Sequence, residues 1–191
     1  MGEGALAIPG LALIESFLSN DQERALLAFI DAQPWRSDLK RRVQHYGYRY
    51  DYRARKVGHD DYLGTLPVPL QRLAQRLVEE GHLSEVPDQA IINEYLPGQG
   101  IAMHVDCEPC FGDAIASVSL GSACEMQFRH LASGTNGRLV LNPQALLVLK
   151  DAARYDWQHG IAARKSDVID GQRVARDRRV SVTFRRVQFE G

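Results

Sequence analysis

A histidine and an aspartate separated by one residue, His104-Val105-Asp106, form the first candidate for chemistry in this sequence. On a β-strand, residues two apart project from the same face, so the imidazole and the carboxylate could converge on one cation. His159, on a later segment, offers a second imidazole. Two imidazoles and one carboxylate leave coordination positions open, which suits Fe(II) binding a co-substrate and O₂. The alternative is a chance pairing, because His-x-Asp alone is a common pattern.

A polar face on a C-terminal strand is the second candidate. In the segment 179–185, polar and apolar residues alternate, so one strand face carries Arg179, Ser181, Thr183 and Arg185 and the other carries Val180, Val182 and Phe184. Two guanidiniums on an inward face are costly to bury without anions, and arginine can hold a carboxylate bidentately. A dicarboxylate ligand would satisfy this interpretation. The alternative is a solvent-exposed face on an edge strand.

The elements that must position these residues are two helices followed by many short strands. Ser19 or Asn20 predicts a helix start with the helix ending before Pro34, and a second helix is predicted over 69–80. Short strands with turn residues between them predict a sandwich or jelly roll. We predict strands at Ile91–Tyr95, Ile115–Leu120, Cys124–Phe128, Leu139–Leu141, Leu146–Leu149 and Val180–Val187, and a loop over Val168–Asp177.

Composition excludes several classes of protein. A chain of 191 residues with 45% hydrophobic and 25% charged residues predicts one globular domain, and a formal charge of -1 excludes a surface that is basic overall. Three cysteines cannot form a disulfide framework, which favours a reducing compartment, so we expect a cytoplasmic protein. We also expect no signal peptide and no membrane association, since no apolar stretch approaches the ~20 residues that span a bilayer.

The segment 36–59 is a candidate substrate-binding region. It holds eight lysines or arginines against Asp38 and Asp51, which makes it a candidate phosphate-binding patch. If the segment is a strand, one face carries four alternating tyrosines while Arg49 and Arg53 point the other way, and bases stack well on such rings. The tyrosines are Tyr46, Tyr48, Tyr50 and Tyr52. The alternative is a hairpin whose tyrosines pack onto the core.

Six segments, in this order, resemble the AlkB-like branch of the Fe(II)/2-oxoglutarate dioxygenases. They are Asn93-Glu94-Tyr95, Pro97-Gly98-Gln99-Gly100-Ile101, His104-Val105-Asp106, Ser119-Leu120-Gly121-Ser122, Trp157-Gln158-His159-Gly160 and the 179–185 strand. The resemblance implies a mainly β fold, a double-stranded β-helix (jelly roll), buttressed by the N-terminal helices. It implies one domain over 1–191, with the helices and a nucleotide-recognition lid in 1–89 and the β-helix core in 90–191.

The resemblance also implies roles for particular residues. His104, Asp106 and His159 would bind Fe(II). The co-substrate 2-oxoglutarate would contact five side chains. Those are Asn93 and Tyr95, Arg179 at the distal carboxylate, Ser181, and Arg185 near the metal-chelating end. The substrate would contact Tyr46, Tyr48, Tyr50, Arg49 and Arg53 in the lid, and Glu108 would read an exocyclic amine.

The activity implied first is oxidative demethylation of alkylated nucleic-acid bases, with release of formaldehyde, by a monomer acting on single strands or flipped bases. The stretch Cys107–Asp113 resembles instead the branch that hydroxylates wobble uridines in transfer RNA, so this remains an alternative. A protein side-chain oxygenase and a non-catalytic metal-binding module are further alternatives. Cys107 and Cys110 could hold zinc, but a pair open to oxidation beside the iron is the favoured interpretation.

Overall fold

The computed structural model describes residues 7–37 and 39–189. Three α-helices lie within these residues: α1 (Asn20–Asp31), α2 (Val68–Glu79) and the short α3 (Asp151–Tyr155); His59–Asp61 forms a 3-10 helix. The first begins with a capping box, in which Ser19 Oγ accepts from the Gln22 backbone N–H at 3.2 Å and Gln22 Oε1 accepts from the Ser19 N–H at 2.9 Å. Both predicted helices are therefore confirmed.

Twelve strands within the described residues form two antiparallel sheets and one hairpin. The strands are β1 (Leu11–Ile14), β2 (Val43–Tyr46), β3 (Gln89–Tyr95), β4 (Ile101–His104), β5 (Ile115–Gly121), β6 (Cys124–His130), β7 (Asn136–Leu141), β8 (Leu146–Leu149), β9 (Trp157–Ile161), β10 (Ser166–Ile169), β11 (Gln172–Ala175) and β12 (Arg179–Arg185). The large sheet has the order β1-β8-β5-β12-β3-β2, and the small sheet has the order β4-β9-β6-β7. All six predicted strands are present, with some ends shifted.

The large sheet is covered on both faces, and strand alternation decides which side chain goes where. Val180, Val182 and Phe184 of β12 pack against α1 and α2 in one apolar core. The alternating residues of the same strand face the small sheet, where a second core lies between the two sheets. The outer face of the large sheet thus packs against the helices, and its inner face bears the candidate site residues.

Side chains from both sheets line one cavity, and this facing arrangement is the predicted jelly roll. The N-terminal helices buttress the outer face of the large sheet, as expected. Strands β1 and β2 form the two edges of that sheet, so the first 89 residues also contribute to the β-fold. Within the described ranges, we find no helix with the length and apolar character required to cross a bilayer.

The predicted loop over Val168–Asp177 is wrong, because most of this segment forms the β10–β11 hairpin. The two strands are joined by Asp170 and Gly171, whose φ angles are +50° and +76°. Positive φ at both central residues is the turn that suits a two-residue hairpin, and Asp-Gly is a typical sequence for it. The hairpin escapes prediction from the sequence because the two strands are rich in polar residues, which are typical of loops.

We expect Leu70→Ala to destabilise the protein because Leu70 is fully buried between α2 and the large sheet. The cavity left behind should lower the free energy of unfolding by about 2–5 kcal/mol. Val68→Ala in the same helix is the matched control, since Val68 is 57% exposed and should change stability by less than about 0.5 kcal/mol. Urea titration measures both; equal effects would contradict the described packing.

Candidate metal centre and co-substrate pocket

The three predicted metal ligands meet in the wall of the cavity. The ligand atoms of His104, Asp106 and His159 all lie within 4.8 Å of one another, and this is the one such group among the described residues. His104 pairs directly with His159 across β4 and β9, and their ring centroids are 4.5 Å apart. The distance from His159 Nε2 to Asp106 Oδ2 is 3.7 Å. The predicted convergence of the three side chains is thus present.

The route to this convergence differs from the predicted one. Strand β4 ends at His104, so Asp106 lies in the following loop and does not share a strand face with it. Because Asp106 lacks the hydrogen bonds of a strand ladder, contacts to its side chain and backbone fix its position instead. Arg185 Nη2 donates to Asp106 Oδ1 at 2.7 Å, from the end of β12.

Hydrogen bonding and burial leave one nitrogen of each imidazole available to bind a cation. His104 Nδ1 lies 2.8 Å from the Ala102 carbonyl oxygen, which can only accept, so Nδ1 donates here and Nε2 is the nitrogen left to bind a metal. Burial lowers the pKa of His159 to about 4, so this ring is neutral at neutral pH. For Asp106, burial alone would raise the pKa, but the charges of Arg185 and the nearby histidines hold it below its usual range. An ionised carboxylate and a neutral imidazole, as in Asp106 and His159, are the forms that bind a divalent metal.

Two buried guanidiniums on β12 point into the same cavity with donors unused. Arg179 is 3% exposed; its Nη2 donates to Ser119 Oγ at 2.9 Å, while Nε and Nη1 have no hydrogen-bond partner among the described residues. Arg185 likewise leaves Nε and Nη1 without one. Buried donors of this kind require an acceptor, and charged ones require an anion. The cavity therefore fits a dicarboxylate such as 2-oxoglutarate beside a metal.

The remaining predicted co-substrate residues line this cavity. Asn93 and Tyr95 project from β3, where they pair in register with Ser181 and Arg179 of β12. The Tyr95 ring centroid lies 5.4 Å from the Arg179 guanidinium carbon. Asn93 Oδ1 accepts from Arg41 Nε at 2.9 Å, which links the cavity to the segment expected to bind substrate.

The cavity continues to the surface through an opening, here called the mouth, lined by Arg41, Tyr50, Tyr52, Arg55 and Phe111 together with His104 and Asp106 of the metal site. Sequence reasoning placed Arg41 and Arg55 only in the basic patch and Tyr52 only among the alternating tyrosines, and it did not name any of the three as a substrate contact. The Tyr52 hydroxyl is buried without a partner among the described residues, which marks it as a candidate substrate contact. Its place in the alternating tyrosines was the available signal.

The four tyrosines do not share one face. Strand β2 ends at Tyr46 because Gly47 turns the chain with a φ of +76°, at a point where a Cβ would lie 1.8 Å from the Asp88 carbonyl oxygen. Tyr46 faces the helices and packs against Phe29, so the structure does not bring it to the mouth or to the metal centre. Tyr48 packs against Tyr62 and is not among the residues that line the mouth.

The charged residues predicted to contact substrate are also separated. Arg53 and Arg49 line a shallow groove on the surface, here called the groove, together with Arg36, Leu39, His45, Tyr50, Asp51 and Tyr52. Arg49 Nη2 also forms an ion pair with Asp61 Oδ1 at 3.0 Å. Glu108 is exposed and is not among the residues lining the mouth, so the predicted contact with an exocyclic amine is not supported.

Cys107 and Cys110 form a disulfide in the loop that follows Asp106. Both sulfurs lie close to the Arg55 carbonyl oxygen, at 3.1 and 3.3 Å, so the loop contacts the substrate segment here. Neither cysteine belongs to the metal-capable group found in the described part of the chain. The zinc alternative therefore has no support. The disulfide agrees with the other interpretation, a cysteine pair that is open to oxidation.

Comparison with known proteins identifies the family. Residues 10–185 match the model of the 2OG-Fe(II) oxygenase superfamily. The chain is 39% identical over 177 residues to a tRNA (carboxymethyluridine(34)-5-O)-methyltransferase, ALKBH8, of Mus musculus, covering 88% of this chain and 26% of that protein. It is 36% identical over 209 residues to the Alkylated DNA repair protein ALKBH8 homolog of Arabidopsis thaliana, covering 97% of this chain and 60% of that protein.

The chain thus spans about a quarter of the mouse relative and three fifths of the plant one. Among solved structures, OsALKBH1 superposes with a TM-score of 0.63 over 95% of this chain and 99% of that one, at 18% identity, which supports the fold. The family uses Fe(II), 2-oxoglutarate and O₂, and the cavity offers the side chains that fit the metal and the diacid. The chain belongs to the 2OG-Fe(II) oxygenase superfamily, as an AlkB-like dioxygenase.

Proposed function

We propose that this dioxygenase oxidises a base of nucleic acid that enters through the mouth, and that a modified uridine of transfer RNA is its preferred substrate. The observation that carries the proposal is the position of the mouth: it joins the metal centre to a basic, tyrosine-lined groove. The names of the two relatives, which refer to tRNA and to alkylated DNA, support a nucleic-acid substrate.

In this proposal His104, Asp106 and His159 hold Fe(II), and Arg179 binds the distal carboxylate of 2-oxoglutarate. When bound, these two groups supply an O₂-driven oxidation of a C–H bond, coupled to decarboxylation of 2-oxoglutarate to succinate. Arg185 orients the Asp106 carboxylate through their 2.7 Å hydrogen bond. Asn93, Tyr95 and Ser181 line the same wall and would fix the position of the co-substrate.

The charge of the mouth favours a neutral base over a cationic one. Arg41, Arg55 and Arg185 line it, while Asp106 is the one carboxylate among its described lining residues and is already paired with Arg185. Adenine methylated at N1 and cytosine methylated at N3 are cations, and like charges repel at short range. A uridine is neutral, which is why we place this substrate before repair of cationic bases.

The groove gives the rest of the nucleic acid a path to the mouth. Leu39, Tyr50 and Tyr52 line both, so the two are continuous. Arg53 and Arg49 would contact phosphates along this path, and the Tyr50 and Tyr52 rings would contact the base that leaves its stack. The segment 47–58 then serves as the nucleotide-recognition lid.

Oxidative demethylation is the second candidate, supported by the name of the plant relative, which refers to alkylated DNA repair. An exocyclic N-methyl group on a neutral base would meet the same charge requirement as uridine. The two reactions differ in their products: demethylation releases formaldehyde, whereas oxidation of a stable side chain leaves a hydroxyl on the base.

We expect transfer RNA carrying modified wobble uridines to gain one oxygen atom per turnover without release of formaldehyde. Nucleoside mass spectrometry after incubation with Fe(II), 2-oxoglutarate and ascorbate measures this, with methylated DNA and RNA oligonucleotides in parallel. His104→Ala and Asp106→Ala should abolish the reaction, while Glu108→Gln, at an exposed position, should retain it. Formaldehyde from methylated oligonucleotides would favour the second candidate, and activity in both ligand variants would contradict the assigned metal site.

We expect Arg53→Glu to weaken the binding of nucleic acid, because it reverses a charge in the groove. The KM for the oligonucleotide should rise roughly threefold or more at low salt, and less at high salt, where phosphate contacts contribute less. Conversion of 2-oxoglutarate without nucleic acid should not change. Arg129→Glu, at an exposed position on β6 of the small sheet, is the matched control. An equal effect of both variants would contradict a specific role of the groove.

We expect the metal-free protein to lose stability as the pH falls from 6.5 to about 4. The unfolded chain binds a proton at His159 near pH 6.5, whereas the folded chain resists it until about pH 4. This difference is worth about 3 kcal/mol at the lower pH. Asp106 stays ionised in the folded chain throughout this range, whereas in the unfolded chain it begins to bind a proton below about pH 5, so it adds to the loss near pH 4 and below. Urea titration at several pH values measures the effect, and His159→Gln should reduce it. An unchanged pH profile in that variant would refute the assignment.

A further inference from the structure

We infer that Arg154 is a positioning residue for the metal centre, holding the loop that carries Asp106 at a fixed place relative to His159. The inference rests on the proposed metal site, because its effect is on the geometry of that site. Arg154 lies on α3 and touches none of the three ligand side chains through a described hydrogen bond.

Arg154 is a buried arginine whose hydrogen bonds go entirely to backbone. Arg154 is 2% exposed, and its guanidinium forms no ion pair with a carboxylate among the described residues. The guanidinium donates instead to carbonyl oxygens of one loop. The acceptors are Asp106 at 3.0 Å, Cys107 at 3.2 Å, Gly112 at 3.3 Å and Phe111 at 3.4 Å.

The loop needs such an anchor because it contains no helix or strand between β4 and β5. Its buried carbonyls would otherwise lack donors, and each buried polar group left unpaired costs about 1–3 kcal/mol. One side chain with five donors in a rigid plane satisfies four of them at once, which a lysine cannot do. The hydrogen bond from Arg154 to the Asp106 carbonyl oxygen thereby fixes the backbone of this ligand.

The position of Arg154 along the chain connects this loop to the third ligand. Helix α3 ends at Tyr155, and β9, which carries His159, begins at Trp157. A displacement of α3 would therefore move His159 and the Asp106 loop relative to each other. Arg154 is thus the side chain that links the two segments on the side away from the cavity.

A purely electrostatic role would have the opposite consequence. A cation beside a metal-binding carboxylate repels a divalent ion, so a neutral substitute would strengthen metal binding. Positioning predicts weaker binding in both a neutral variant, Arg154→Met, and a charged variant, Arg154→Lys. A merely structural role predicts a loss of stability without a change in the metal site of the folded protein.

The test is titration of the metal-free full chain with Co(II), following the visible absorption spectrum of the bound ion, with thermal unfolding measured for each variant. We expect both Arg154 variants to bind Co(II) roughly 10- to 100-fold more weakly, with an altered spectrum. Leu70→Ala, destabilised on the far side of the large sheet, should bind like the original chain. His104→Ala should remove the signal.

Wild-type affinity and spectrum in Arg154→Lys or Arg154→Met would overturn the inference and leave the metal site intact. Tighter binding by Arg154→Met would show an electrostatic role instead, and an equal loss in Leu70→Ala would show a general effect of stability. Should the neutral variant not fold, Arg154→Lys decides alone. Absence of Co(II) binding in the unmodified chain, or its survival in His104→Ala, would refute the proposed metal site itself and this inference with it.

Discussion

Two guanidiniums enclosed beside one carboxylate are the constraint on which this structure depends. Burial of that much positive charge is unfavourable unless anions and hydrogen-bond acceptors compensate it. Asp106 compensates part of the charge of Arg185, and Ser119 satisfies one donor of Arg179. The remaining donors stay directed into the cavity, so the folded protein is prepared for an anionic ligand before any ligand arrives.

The large sheet makes this arrangement possible because it separates two environments across one layer of backbone. Its outer face lies in an apolar core with α1 and α2, and its inner face lies against the small sheet. Stability and chemistry therefore depend on alternate residues of the same strands, as in β12.

Much of the site could be predicted because it obeys strand alternation. The spacing of Arg179, Ser181, Thr183 and Arg185 alone placed them on one face, and the structure has them on one cavity wall. Prediction failed where the backbone leaves regular structure. Asp106 lies in a loop after β4, and Gly47 ends β2, which separates the tyrosines. Arg154 gave no signal, since its partners are backbone carbonyls distant in sequence.

The site and the mouth are built on different kinds of backbone, and this has a consequence for divergence within the family. The co-substrate wall lies on β3 and β12, paired along their whole length, where a one-residue deletion would exchange the inner and outer faces. The mouth takes Tyr50, Tyr52 and Arg55 from an irregular segment outside both sheets. Insertions and substitutions in that segment leave the ladders intact. Substrate choice can therefore evolve rapidly while the oxidative chemistry stays fixed.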